Sequence, residues 1–291
     1  MPGPIPRRRR VFFVVPGAPR FNSIYHEGMA AVLRLQRPIV FVGGLFHVLP
    51  EDRVRDWFAP RTALSPDLLG YGRYIDHRIE EITMEAQADH VAAVAREAGV
   101  ESAHFVGQSV GGVIAFLVAQ RHPDLAASVI SVEGNFTLGD AFWSRRIAGM
   151  EEEEMSRILE GYRRDPAGWL QSSGIEATPG NLEIARKALR APPLVLRAMA
   201  RTVIAATEGD RFVGLVETLL GGGLRARLIA GERSRDAWSV PDSIVQRTGG
   251  VRVLPGVGHL MMLEAPSAYF ELIAALADDA VEPAALPKDR T

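Results

Sequence analysis

At 291 residues the chain is long enough for one large α/β domain with an insertion, or for two ordinary domains, burying about three quarters of its unfolded surface. With 47% hydrophobic residues, 23% charged residues and a net charge of -2, it carries no global field to draw nucleic acid or a membrane surface, so small molecules are the expected partners. The absence of cysteine excludes disulfides, thiolate metal ligands and a cysteine nucleophile.

Residues 1–10 are polar and proline-rich and read as a flexible arm. Arg7 to Arg10 precede the apolar Val11 to Val15, but that run stops at Pro16-Gly17 without a clean cleavage site, so it reads as a first strand of a cytoplasmic protein. A short helix is expected over Glu27 to Leu35, with His26 and Glu27 an incidental surface pair. Pro38 to Val42 is a continuous apolar run, the pattern of a strand buried on both faces, and it ends in Gly43-Gly44-Leu45-Phe46. A second such run, Thr62 to Pro66, leads into the turn-rich Asp67-Leu68-Leu69-Gly70-Tyr71-Gly72. Thr83 is placed to cap a helix that runs to about Ala98 and stops at Gly99.

The uncharged stretch from Ser102 to Gln120 approaches the length of a membrane span but contains His104, Gln108, Ser109 and several glycines. It divides into a strand, Ala103 to Val106, the turn Gly107-Gln108-Ser109-Val110-Gly111, and a helix that must stop before Pro123. A serine at a strand-to-helix turn is forced into a strained backbone, and flanking glycines remove side chains that would clash as backbones approach. Ser109 is therefore the candidate nucleophile; it needs a base, an acid to orient that base, and donors for a developing oxyanion.

Ala127 to Val132 reads as the next strand and ends in Glu133-Gly134-Asn135. Strands alternating with helices imply right-handed crossovers and a mostly parallel sheet covered on both faces, with ligands at the carboxyl ends of the strands. From Phe136 to about Thr207 no buried strand is expected: Glu151 to Glu154 open a helix as its solvated first turn, and prolines punctuate the rest, which reads as a helical insertion over the site. Leu224 to Ala230 resumes the strand pattern, followed by a helix over Pro241 to Gln246, a strand over Val251 to Leu254, Gly256-Val257-Gly258-His259, and a helix from about Pro266 to Leu276. The expected organisation is an arm at 1–10, a core at 11–135 and 208–278, a cap at 136–207 and a loose tail at 279–291, with no internal repeat.

The strand-to-helix turn around Ser109, the glycine turn at Gly43-Gly44-Leu45, the Asp67 to Gly72 turn and the late Gly258-His259 together resemble the α/β-hydrolase superfamily over about residues 37–278. That resemblance implies a mostly parallel sheet flanked by helices, a helical cap, and no cofactor. It implies His259, alone among seven histidines in a turn after the last strand, as the base that takes the proton from Ser109. It points to the backbone N–H groups of Leu45 and Val110 as oxyanion donors, with Gly44 shaping the turn, although the family's usual His-Gly pair is Gly43-Gly44 here.

The acid is open. Relatives usually carry it about three residues beyond the glycine after the strand at Leu224 to Ala230, where this chain has Ser234, flanked by Glu232 and Asp236. A subset typified by haloalkane dehalogenases supplies it after the preceding strand, where this chain has Glu133. Glu133 ranks first, Asp236 second and Glu232 last.

The implied activity is a cofactor-free, carboxylesterase-like serine hydrolase acting on an ester, lactone or thioester. A carbon–carbon hydrolase, a perhydrolase, or a non-catalytic binding protein on the same fold are the alternatives. Gly44, Phe46 and Trp143 are candidate substrate contacts. Phe142, Trp143, Trp169, Leu196 and Met199 of the insertion suit an apolar pocket, though packing among the insertion's own helices suits them better.

Overall fold

The computed structural model describes residues 36–279. The expectations for the arm, for a strand at Val11 to Val15, for a helix at Glu27 to Leu35, for the His26–Glu27 pair and for the tail beyond Asp279 lie outside the described residues.

Six strands form one sheet: β1 (Ile39–Val42), β2 (Ala63–Leu64), β3 (Ala103–Gln108), β4 (Ala126–Val132), β5 (Arg225–Gly231) and β6 (Val251–Leu254). Their order is β2-β1-β3-β4-β5-β6, and every neighbouring pair is parallel. Parallel strands must be joined by crossovers that cover the sheet faces, which is why β1 and β3 are buried at every position and rich in apolar residues. The chain reverses direction across the sheet between β1 and β3, so the turns after these strands open toward one crevice at their carboxyl ends.

Helix α1 (Glu51–Phe58) follows β1, and α2 (Met84–Glu97) precedes β3. The Thr83 hydroxyl accepts the N–H of Ala86 at 3.0 Å to cap α2, and Gly99, at φ +77°, ends the segment in the conformation that glycine adopts without penalty. Helix α3 (Val110–Arg121) leaves the serine turn, and every residue from Val110 to Ala119 is buried. A helix apolar on all sides belongs inside, and α3 packs on β1, β3 and β4 with α2 alongside.

Between β4 and β5 the described residues hold six helices and no strand: α4 (Phe142–Ala148), α5 (Glu152–Arg164), α6 (Pro166–Ser172), α7 (Pro179–Ala188), α8 (Pro193–Thr207) and α9 (Arg211–Gly221). Glu152, Glu153 and Glu154 are the exposed first turn of α5, where the helix dipole favours acidic groups. Helices α10 (Asp242–Arg247), α11 (Met261–Glu264) and α12 (Pro266–Asp279) complete the described chain.

Helices α1 and α9 were not anticipated in the sequence. The first buries only Val54 and Phe58, too few apolar positions for a periodic signal, and the second follows directly on the segment read as insertion. Strand β2 is shorter than its apolar run, with Ser65 turned aside to donate to the Leu49 carbonyl at 2.6 Å.

One polar group inside the sheet makes stability pH-dependent. His104, on β3, is fully buried, its Nδ1 lies 2.7 Å from Ser128 Oγ, and its Nε2 has no hydrogen-bond partner. Burial, reinforced by the charges of Arg61 and Arg37, pushes the imidazole from 6.5 down to about 4. Below pH 6.5 the unfolded chain takes up the proton before the folded one, so stability is full above that pH and falls as pH drops toward 4. The loss is at most about 3 kcal/mol over that window. Melting temperature measured from pH 7 to 4.5 is expected to fall less steeply in His104→Gln than in the parent.

Candidate active site

The Gly107 to Gly111 turn is closely packed against its neighbours. Ser109 sits at φ +55° and ψ -122°, outside the regions open to ordinary residues, between the last residue of β3 and the first of α3. A Cβ added at Gly107 would come within 2.3 Å of the Gly111 carbonyl oxygen, and one at Gly111 within 2.1 Å of the Val42 carbonyl oxygen. These glycines therefore allow β1, β3 and α3 to approach closely enough to hold the serine in that conformation. The turn is tied to the next strand by the Ser109 N–H donating to the Val132 carbonyl at 3.0 Å.

Glu133 follows β4 and continues its ladder, its N–H donating to the Ile229 carbonyl at 2.9 Å. It too has a positive φ, +44°, which turns its side chain across the strand ends. Glu133 Oε2 accepts from His259 Nδ1 at 2.6 Å, while Oε1 accepts from the Ser234 hydroxyl at 2.6 Å and the Gly231 N–H at 2.8 Å. The carboxylate is 5% exposed. Burial by itself would raise it; the hydrogen bond and charge of His259, then the Ser234 hydroxyl and the Gly231 N–H, outweigh burial and hold it below the usual carboxylate range.

Ser234, at the position after β5 where the family usually carries its carboxylate, thus donates to Glu133 at the end of the neighbouring strand. Asp236 lies exposed on a single 3₁₀ turn, Arg235–Ala237. Glu232 is exposed and accepts the Gly256 N–H at 2.8 Å.

The loop that presents His259 is held from below. Glu264 accepts the Gly258 N–H at 2.9 Å and pairs with Arg233 at 2.5 Å, and the Arg233 N–H donates to the Val257 carbonyl at 2.9 Å. With its Nδ1–H donated to Glu133, a neutral His259 ring carries its lone pair on Nε2. The partner there is Gln108, whose side-chain Nε2 donates at 3.0 Å. The sequence placed Ser109 itself at that nitrogen. Gln108, the last residue of β3 and 3% exposed, was overlooked because the second position of the turn motif accepts many residue types.

Val110 opens α3, where a helix leaves its first N–H groups without internal partners. Leu45 lies in the loop after β1, buried, with its carbonyl accepting the Tyr71 hydroxyl at 2.7 Å. Burial raises the Tyr71 phenol far above its ordinary value, so it remains a donor and fixes this loop. Gly44 lies close against Ser109: a Cβ there would sit 3.1 Å from Ser109 Cβ.

Phe46 packs on Trp169 of α6, ring centroids 5.5 Å apart. It lines a cavity of about 430 Å³ together with His47, Asp67, Tyr71, Ile184 and Ala188, between the loop after β1 and helix α7. Trp143 is placed differently: it is 58% exposed, with the Arg146 guanidinium over its ring at 5.7 Å. Leu196, Met199 and Trp169 are buried among the helices. Among the described residues no group of three His, Cys, Asp or Glu side chains is arranged to hold a metal ion, and no helix is long and apolar enough to cross a membrane.

Comparison with known proteins adds independent findings. A profile of the family described as alpha/beta hydrolase fold matches residues 38–214. Over 111 residues the chain is 30% identical to 2-hydroxymuconate semialdehyde hydrolase of Pseudomonas sp. (strain CF600), a match spanning 36% of this chain and 38% of that relative. The structure resembles a carboxylesterase of Nitrososphaera gargenis, with a TM-score of 0.61 at 14% identity over 85% of this chain and 92% of that one. It also resembles a thermophilic esterase of Thermogutta terrifontis, with a TM-score of 0.60 at 22% identity over 84% and 90% of the two chains. The N-acyl homoserine lactonase AidH gives 0.60 at 17% identity over 87% and 93%. At these identities the likeness is one of fold.

Proposed function

The chain belongs to the α/β-hydrolase fold family, and from that premise we propose that it is a serine hydrolase cleaving a small ester, lactone or thioester through an acyl-enzyme on Ser109. The observation that carries this reading is the Glu133–His259 pair at 2.6 Å, assembled at the strand ends beside a serine held at positive φ. A carboxylate kept ionised and fully hydrogen-bonded fixes the ring tautomer and stabilises the imidazolium that forms during proton transfer.

In the proposed reaction Ser109 Oγ attacks the substrate carbonyl carbon and its proton passes to His259 Nε2. The carbonyl electron pair moves onto oxygen, where the N–H groups of Leu45 and Val110 stabilise it. Collapse expels the leaving group, which takes the proton from His259. Water then enters by the same route in reverse, giving the acid and the free serine. Gly44 and Phe46 border the acyl site in this reading, and helices α4 to α8, the proposed cap at 136–207, close over it.

A second reading is favoured by the stretch 30% identical to 2-hydroxymuconate semialdehyde hydrolase: hydrolysis of a carbon–carbon bond beside a ketone by the same residues. One experiment tests the first reading and separates the second. Protein quenched in acid during turnover of p-nitrophenyl acetate is expected to carry one acetyl group, and peptide mass spectrometry is expected to place it on Ser109. An adduct at another residue overturns the assignment, and turnover of a vinylogous diketone in the absence of ester turnover moves the reading to carbon–carbon cleavage.

A further inference from the structure

We infer that Gln108 is a specificity-determining residue that makes this site select substrates bearing a hydrogen-bond acceptor next to the scissile carbonyl. The inference rests on the serine-hydrolase reading and starts from an exchange that the geometry imposes. His259 Nε2 has one lone pair, and the Gln108 side-chain N–H occupies it at 3.0 Å. Ser109 can pass its proton to that nitrogen only when the Gln108 donor has moved off it. Beside an imidazole that is 39% exposed, the Gln108 carboxamide is itself buried, with Gln108 3% exposed. Its oxygen is wedged against the loop after β1, where a Cβ on Gly44 would sit 2.7 Å from it.

The Gln108 carboxamide thus spans the gap between the base and the loop carrying the Leu45 N–H, which is the space that the reacting carbonyl and its neighbouring atoms enter. When the Gln108 N–H leaves His259 and substrate fills the space beside it, the substrate has to offer the acceptor that the ring gave up. A purely apolar acyl chain leaves that N–H buried and unpaired; an ether, hydroxyl or amide oxygen one or two atoms from the carbonyl satisfies it. Leaving such a donor unpaired once bound substrate has displaced water is worth about tenfold to a hundredfold in discrimination between otherwise matched substrates.

The test compares p-nitrophenyl methoxyacetate with p-nitrophenyl butanoate, which have the same chain length and differ by one oxygen for one methylene. Their intrinsic reactivities differ, but that difference cancels when the ratio of their kcat/KM values is compared between protein variants. In Gln108→Leu the methoxyacetate-to-butanoate ratio is expected to fall by about tenfold or more relative to the parent. Gln108→Asn, whose amide is one methylene shorter, is expected to show a fall of the same sign and serves if the leucine variant gives no cooperative thermal transition. If Gln108 only positions His259, both esters slow together and the ratio stays put, which overturns the inference. Labelling of Ser109 by a fluorophosphonate keeps the two levels apart. Labelled protein with an unchanged ratio sinks the Gln108 role alone, whereas a parent protein that neither labels at Ser109 nor turns over either ester sinks the hydrolase reading with it.

Discussion

Ser109→Ala is expected to lower kcat/KM for an activated ester by about five orders of magnitude, to the level set by binding and the oxyanion donors alone. The reason is chemical: alanine offers no oxygen to carry the acyl group, so the two-step route closes and water must attack unaided. The fold is expected to survive the change, because Ser109 makes its structural hydrogen bonds through its backbone, to Val132 and from Gly112. Removing Oγ leaves the positive φ as it was. Steady-state kinetics on purified variant, with a thermal melt beside it, checks both halves. A variant that retains a tenth of the parent rate with an unchanged melt would remove Ser109 from the mechanism.

The second large effect concerns the acid. Glu133→Gln is expected to cut kcat/KM by about three to four orders of magnitude, while Asp236→Asn stays within a factor of about two of the parent. Glutamine keeps the volume of Glu133 and can still accept a hydrogen bond from His259 Nδ1 through its carbonyl oxygen. It can equally turn its NH₂ toward the ring, which stabilises the wrong tautomer, and it offers no negative charge to an imidazolium. Oε1 makes the comparison sharper, since it accepts from both the Ser234 hydroxyl and the Gly231 N–H, two donors that an NH₂ group cannot satisfy. Asp236, exposed on its 3₁₀ turn, touches none of this. The opposite pattern, with Asp236→Asn severely impaired and Glu133→Gln active, would place the acid after β5. The lowered carboxyl of Glu133 adds a stability consequence: its contribution is present above the ordinary carboxylate range and is lost as pH falls through the lowered value, so Glu133→Gln is expected to flatten the acid limb of the melting curve.

What was legible in the chain follows from how local each signal is. The strained serine turn could be read because its requirements lie within five consecutive residues: a small residue two before, a small residue two after, an apolar strand before and an apolar helix behind. The buried strands could be read from the runs Pro38 to Val42 and Ala103 to Val106 because a parallel sheet demands unbroken apolar runs, and the second strand extends two residues further, to Gln108. Thr83 and Gly99 marked the ends of α2 because a helix cap is satisfied within three or four residues. Helix α1 had no comparable signature, as it rests on two buried side chains four residues apart. Trp143 shows the opposite limit, since an aromatic residue in a segment placed near a site carries no sign of which way it faces; the fold sets it 58% exposed under Arg146.

The α/β architecture, the strained serine and the short roster of histidine and carboxylates were open to reading from the chain alone, because each is written in neighbouring residues and in the period of burial. That Glu133 is the carboxylate meeting His259, that Ser234 donates to it, and that Gln108 holds the other ring nitrogen are matters of tertiary packing. Those choices join residues that are about a hundred or more positions apart along the chain, and they are settled by strand order and by the positive backbone angle of Glu133, neither of which leaves a pattern in the order of residues.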